Sequence, residues 1–524
     1  MADVVGNTHH LRKPDIMRAS PAPKGPTHTE IQATDKESAI RLEHAESEKN
    51  IPTKLDKHGY ALRPQPSDDP TDPLNWPLLL KLWVLFQVSF LAFLGPFTQA
   101  VVNSAFGLVA KSFHISVTTA SYVTNVAILG AGVTPLLLSP LANTYGRRPV
   151  FILVTAIGVA AHGASGAAKT WSGVLAARFF VGVGTSAGMG IGAACVADMF
   201  FMHERGRFMG VFTVFVTNGA HVAALIGGPI AKYKGWRWCF WVPDIVLAAA
   251  WVFILFGLPE TLYHRDNSRG ISKQKPRKWI DLWLFRSGAV KRRVRLREFT
   301  HVFIMLRYPS VLFPTLYYSI GFGLGSVLFA VTGAAAFGSI YHFDTIGIGL
   351  AIGLSTTIGT LLGEASAGYV SDRLVYLHAK ANHGVSKPES RLFATIPGAI
   401  LLPIGVIIEG VCFQYKTHYM GPVIGIGIGA VGLQIISTNI YAYITDCYKP
   451  QSAEIATLLN FGRQTFSFTL GFYMIPFAHK TTYGVAWSVM ALIGLSLYSG
   501  IVLLMFKGQQ WRERLAPPNF HRDI

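Results

Sequence analysis

The stretch Leu141-Ala142-Asn143-Thr144-Tyr145-Gly146-Arg147-Arg148-Pro149 is a short basic turn between two long apolar runs. Residues 117–142 before it and 149–168 after it contain no Asp, Glu, Lys or Arg. Each run meets the roughly 20 apolar residues needed to cross a bilayer. Two such runs joined by a Gly-Arg-Arg turn read as a membrane hairpin whose turn stays on the cytosolic side. A second, fuller copy, Gly368-Tyr369-Val370-Ser371-Asp372-Arg373, again follows directly on an apolar run.

Composition agrees. Of 524 residues, 51% are hydrophobic and 14% charged, where a soluble domain carries about 25% charged residues. The 52 glycines fit closely packed membrane helices. A net charge of +18 would point to nucleic acid in a soluble protein. Here the tail before Pro77 has 10 Lys/Arg against 12 Asp/Glu, while residues 263–308 have 13 against 3. The excess sits in loops, which is positive-inside topology and not nucleic-acid binding. Cys195, Cys239, Cys412 and Cys447 show no metal or disulfide spacing and read as reduced structural thiols. Residues 1–75 lack an apolar core of signal-peptide type and read as a disordered cytosolic tail.

Asp72-Pro73-Leu74-Asn75-Trp76-Pro77 leads into the membrane, with proline at a helix start and Trp76 expected at the interface. Twelve apolar runs follow, near 80–102, 119–142, 149–168, 174–198, 208–231, 240–258, 309–333, 345–368, 392–413, 420–445, 455–478 and 483–506. Loops after even-numbered runs carry most of the Lys and Arg, which makes both termini cytosolic. The long basic loop, 261–308, divides the chain into a first half, 76–260, and a second half, 309–506, with a tail at 507–524. Within it, Trp279, Ile280, Leu282, Trp283, Leu284 and Phe285 form either a helix on an anionic leaflet or a solvated connector. The fold expected is all-α: twelve transmembrane helices in two six-helix pseudo-repeats, the plan of many secondary transporters.

Several stretches resemble one family. Asp72-Pro73-Leu74-Asn75-Trp76, the Asn143–Arg148 turn, Arg178 with Gly182 and Gly184, Gly227-Gly228-Pro229, Pro259-Glu260-Thr261 and the segment 443–448 with Asp446 stand in the order found in fungal major facilitator superfamily transporters of the twelve-span drug:proton antiporter group. The resemblance covers about 72–507. It implies the major facilitator fold, a proton-coupled carrier and, from the glycine-proline motif of span 5, export. The first signature loop departs from the family pattern, with Ser139, Asn143 and Thr144 where Gly, Asp and a basic residue are usual, whereas Gly368, Asp372 and Arg373 keep all three. Ala224 also replaces a usual glycine in span 5.

The residues that can carry transport chemistry are few. Arg178 lies in span 4, where an intramembrane cation is costly and functional by default. Asp198, Glu364 and Asp446 lie toward the cytosolic ends of spans 4, 8 and 10. As gate residues, Asp198 would pair with Arg147 or Arg148, and Asp446 with Arg373 or Arg463, holding an outward-open state. His221, one turn from Asn218 in span 5, is a proton relay or a packed, substrate-bonding residue. Gln99, Asn103, Asn125, Gln434 and Asn439 are polar groups that need partners in apolar spans and are cavity candidates. Gly427-Ile428-Gly429-Ala430-Val431-Gly432 matches a dinucleotide fingerprint but lies inside span 10, so it reads as helix packing. No metal spacing, cofactor motif or enzyme-like cluster of His, Asp or Cys is present. The expectation is a carrier, functional as a monomer, that moves a small organic solute with protons across the plasma membrane or, alternatively, the vacuolar membrane. An importer of a nutrient such as a polyamine and a transport-dead sensor are the other readings.

Overall fold

The computed structural model describes residues 64–263, 278–284, 294–381, 387–448, 451–515 and 518. The tail up to Arg63, most of the basic connector and the last residues lie outside them. Twelve long helices run in sequence: α1 (Leu78–Ala100), α2 (Tyr122–Tyr145), α3 (Arg147–Ala167), α4 (Trp171–Met199), α5 (Met202–Lys234), α6 (Trp238–Gly257), α7 (Pro309–Phe322 continuing into Phe329–Ile340), α8 (Thr345–Ala381), α9 (Ile396–Gln414), α10 (Met420–Cys447), α11 (Ser452–Lys480) and α12 (Tyr483–Arg514). Eleven of these spans are long and apolar enough to cross a membrane. The other, α11, buries Asn460, Arg463 and Gln464, and these polar groups lower its hydropathy without changing its place in the alternation.

Local chemistry sets the helix ends. Thr170 and Thr482 cap α4 and α12 by accepting from the N–H of Gly173 and Val485. Pro309 opens α7. Gly146 ends α2 with φ +106°, a value that L side chains rarely adopt, and a Cβ there would stand 2.5 Å from Glu260 Oε2. The second copy of the turn behaves differently. Gly368 to Arg373 lies inside α8, which continues to Ala381. Apolarity stops near residue 368, but no proline breaks the helix, and Gly368 sits in open space. The expected turn there is therefore helix.

The first helix of each half is interrupted. After Ala100, α1 passes through the 3-10 turn Asn103–Ala105 into a short helix, Phe106–Phe113. α7 widens into a π turn at Gly323–Leu328, a feature frequent at functional sites. Within the first half, α4 packs on α1, α2 and α3; within the second, α10 packs on α8 and α9. The halves meet along two seams, α5 against α8 and α2 against α11. With twelve alternating helices, both ends of the helical body share one face, called here the terminal face.

The segment before α1 folds back on this face. Asp72 accepts from the N–H of Ser67 and Leu74, and the Ser67 hydroxyl meets that of Tyr263 at 3.1 Å. Trp76 is 3% exposed and donates its indole N–H to the Thr71 carbonyl. Its indole is thus turned into the protein and away from any surrounding lipid. Lys81 is buried too, donating to the Leu74 carbonyl at 2.9 Å and facing the Phe200 and Phe201 rings. In the connector, Trp279–Trp283 is a single 3-10 turn with Leu282 fully buried, whose carbonyl accepts from Glu260 N–H. Among the described residues this part is a 3-10 turn docked through Leu282, with Trp279, Ile280 and Leu284 exposed; Phe285 lies outside them.

Candidate functional site

The terminal-face charges form clamps within each half. Glu260, 1% exposed just after α6, accepts the N–H of Arg147 at 3.0 Å, Arg148 at 3.1 Å and Leu262 at 2.8 Å. Its carboxylate thus satisfies the open N–H groups at the start of α3, where the helix dipole also favours an anion. Arg148 returns the favour by donating to the Leu255 and Leu258 carbonyls at the end of α6. Arg147 pairs with Asp198 at the end of α4, Nε to Oδ2 at 2.6 Å. In the second half, Asp446 pairs with Arg391 at 2.7 Å, not with Arg373 or Arg463. Arg391 also reaches the Ser371 hydroxyl, and Glu389 pairs with Arg512 at 3.0 Å. Both expected gate acids therefore bond inside their own half. Asn143 is half-buried in the last turn of α2, and Arg373 is exposed. The side chain of Asp372 lies outside the described residues.

A polar knot sits deep in the first half. Arg178 is fully buried and donates to three carbonyls: Thr98 at 2.9 Å, Gln99 at 2.8 Å and Val123 at 3.1 Å. The break in α1 leaves the carbonyls of Thr98 and Gln99 without their helical donors, and the guanidinium supplies them. Its face lies 5.3 Å from the Phe240 ring. Asn103 accepts from the Thr124 hydroxyl at 2.7 Å, next to Gln99. Asn125 packs against Gly471 of α11 across the seam. His162, which the sequence reading did not single out, is fully buried beside Phe240. Arg178 is thus a pin between α1, α2 and α4.

The seams carry the remaining candidates. Thr360 of α8 donates to Asn218 of α5 at 3.2 Å. His221 is buried one turn away, its carbonyl against Gly353 of α8. One turn beyond Thr360, on the same face of α8, Glu364 accepts from Gln434 at 2.6 Å and Thr438 at 2.7 Å, both on α10. Two residues chosen separately from the sequence are therefore one site. Glu364 is half-buried and has no cation partner among the described residues. On the second seam, Asn460 donates to the Ala131 carbonyl of α2. Arg463, 5% exposed, donates to Asn460 Oδ1 through Nε at 3.2 Å and Nη2 at 3.0 Å, and to Met189 Sδ of α4 at 3.7 Å. The Phe322 ring covers it at 4.6 Å, and Tyr318 meets Tyr441 edge to face at 5.4 Å. Asn439, in contrast, bonds back to Ile435 of its own helix and is fully buried.

The opposite face is closed by contacts between halves. Gly228 packs on Thr345 of the other half, whose hydroxyl donates to the Gly228 carbonyl at 3.1 Å, while Gly227 packs on Val101 within its own half. Lys232 pairs with Asp344 across this seam at 2.7 Å, and on the other seam the Tyr122 and Phe472 rings meet at 4.6 Å, tilted by 44°. Pro229 follows in α5. The glycines of the dinucleotide-like stretch are packing contacts: Gly429 lies against Phe329 and Gly432 against Leu402.

Two six-helix halves, joined along two seams that hold intramembrane charges, define the class as a rocking-type membrane carrier. The Major Facilitator Superfamily profile matches residues 88–472, and the chain belongs to that family. It is 31% identical over 454 residues to the MFS transporter cpaT of Aspergillus oryzae, covering 85% of this chain and 90% of that one. It is 29% identical over 458 residues to the MFS-type transporter penM of Penicillium rubens, with 85% and 88% covered, and 26% identical over 463 residues to the efflux pump radE of Floropilus chiversii, with 85% and 83% covered. Among solved structures, the xylose transporter XylE from E. coli shares the fold at TM-score 0.59 and 12% identity, covering 81% of this chain and 97% of that one.

Proposed function

We propose that this transporter is a proton-coupled exporter of a small organic solute, a drug-like compound or fungal secondary metabolite, acting as a monomer in the plasma membrane with its terminal face in the cytosol. The observation that carries the coupling is Glu364. It is an intramembrane carboxyl of α8, one turn from the seam residue Thr360, held by an amide and a hydroxyl of α10 and by no cation among the described residues. An intramembrane carboxyl without a fixed countercharge is the kind of group that proton relays of carriers use. Rocking about the seams would expose it first to one side and then to the other. A relative named as an efflux pump supports the direction, and the basic loops of the terminal face support the orientation.

The test combines cells and vesicles. Cells lacking the gene are expected to retain metabolites that parent cells release, and proteoliposomes with an imposed pH gradient are expected to move those metabolites. Glu364→Gln should abolish the response to the gradient. Lower uptake in deletion cells would replace export by import. A pH gradient that moves no retained metabolite would favour a transport-dead sensor.

A further inference from the structure

We infer that the solute moved is an organic anion with an aromatic or conjugated body, and that Arg463 receives its anionic end. This rests on the carrier reading above and names the substrate class of that same site. Away from the helix ends, two arginines, Arg178 and Arg463, are buried among the described residues, and their surroundings differ. All three nitrogens of Arg178 donate to carbonyls of the first half, so its donor edges are engaged. In Arg463, Asn460 Oδ1 takes both Nε and Nη2, and Met189 Sδ takes Nη2 as well. Its third nitrogen, Nη1, has no hydrogen-bond partner among the described residues and is not fully enclosed. No carboxylate lies within ion-pair distance of it among those residues.

An intramembrane guanidinium without a countercharge is costly. Its Nη1 end keeps N–H donors that a carboxylate or similar oxyanion accepts. Phe322 fixes the guanidinium plane from one side. Phe322 meets Tyr318, which in turn meets Tyr441, so an aromatic cluster borders the guanidinium, and a flat apolar body would pack against it as the seam opens. Position matters as much as chemistry. Arg463 and its anchor Asn460 both touch the other half, through Met189 and Ala131. An anion bound there would be gripped at a seam that rocking must rearrange.

The test sorts metabolites by charge. Metabolites retained by deletion cells are separated by anion exchange at pH 8, and the bound fraction is added to the purified full-length protein in a thermal-shift assay. The retained compounds are expected in the bound fraction, and that fraction should stabilise the parent protein. Arg463→Gln should weaken binding and export of these anions at least about tenfold, with Arg463→Lys intermediate. Asn460→Asp places a carboxylate on the guanidinium, so it should suppress anion export with Arg463 still in place. Each variant is compared with the parent for thermal stability without added metabolite, which separates a lost site from a lost fold. Retained compounds that are cationic or neutral, or anion export unchanged in a stable Arg463→Gln protein, would overturn this inference and leave the carrier standing. If no compound is retained, the export reading itself fails, and this inference with it.

Discussion

Arg147–Asp198 in the first half and Arg391–Asp446 in the second join corresponding helix ends, the start of each half's third helix to the end of its fourth. Each is reinforced by a second clamp between the third and sixth helices. In the first half the anion, Glu260, follows α6 and the cation, Arg148, is on α3. In the second half the signs are exchanged: Glu389 precedes α9 and Arg512 ends α12. What differs is burial. The Arg147 and Asp198 side chains are 8% and 20% exposed, whereas those of Arg391 and Asp446 are 25% and 37% exposed. The same bond made in a drier place is harder to break without loss, because the partner left behind has no water to turn to. One device thus serves as rigid framing in the first half and as an adjustable tie in the second.

The largest expected effect tests this difference at the second clamp. Glu260→Ala leaves three buried N–H groups without an acceptor and should cost about 3–5 kcal/mol in thermal unfolding of the purified protein. Glu389→Ala, whose partner Arg512 is part-exposed, should cost about 1 kcal/mol. Burial holds the Glu260 carboxyl above its usual value of 4.5, against the pull of its N–H donors and Arg147. A raised carboxyl contributes fully below 4.5, and its contribution declines as pH rises through the folded value. The Glu260→Ala deficit should therefore be larger at pH 4 than at pH 7.5. Equal costs for the two glutamates would break the comparison.

The next effect is at the ion pairs themselves. Arg147→Gln should lower stability by about 2 kcal/mol, because it removes the charge-assisted bond at 2.6 Å to Asp198 from a largely buried place. Arg391→Gln should cost less than about 1 kcal/mol. Double-mutant cycles with Asp198→Asn and Asp446→Asn measure the two couplings directly. A coupling at the second pair as large as at the first would mean that exposure does not set the difference.

The twelve helices were legible because each needs about 20 apolar residues and the loops between them alternate in charge. Even α11 showed as a run at 455–478, despite Arg463. The end of α8 was not legible, because hydropathy reports where lipid stops and not where a helix stops. Arg147 with Asp198 could be foreseen from helix ends on one face. Arg391 could have been found by carrying that pair across the repeat, but Asp446 was matched instead to cations closer in sequence or inside a span. Glu364 and Gln434 were each visible as polar residues in apolar runs. Their union was not, since it depends on the rotation of α8 against α10. Trp76 misled because an indole before a span reads as an interface anchor, and only the folded chain shows it donating inward.

The repeated loop offers a smaller, functional test. Asp372→Asn is expected to slow transport several-fold more than Asn143→Ala at matched expression. In the first half Glu260 and Asp198 already engage the charges of the turn, and Asn143 adds none. In the second, Asp372 supplies the carboxylate of the motif on a helix that runs on past it. Equal or reversed effects would show that the second loop carries no special load.

The smallest effect is at the opposite face, where a charge pair ties one half to the other. Lys232 and Asp344 are 47% and 52% exposed, so salt screens them and their contribution to stability is slight. Their value to the comparison lies in what they join: breaking a clamp loosens a half, whereas breaking this pair frees the halves from each other. The Lys232 ammonium holds the Asp344 carboxyl below its usual 3.8. A lowered carboxyl contributes above 3.8, and its contribution is lost as pH falls from there through the folded value. The pair should therefore stay intact from pH 5 to pH 8 and loosen only below about 3.8. Spin labels at the exposed Tyr233 and Tyr415, one in each half, would report this as a longer or broader distance in Asp344→Asn at neutral pH, matched by the parent protein in strong acid. Glu260→Ala should leave that distance unchanged while lowering stability far more. A clamp variant that also moved the opposite-face labels would mean that the two faces are coupled through the frame of the first half, and that the division between framing and gating drawn here is wrong.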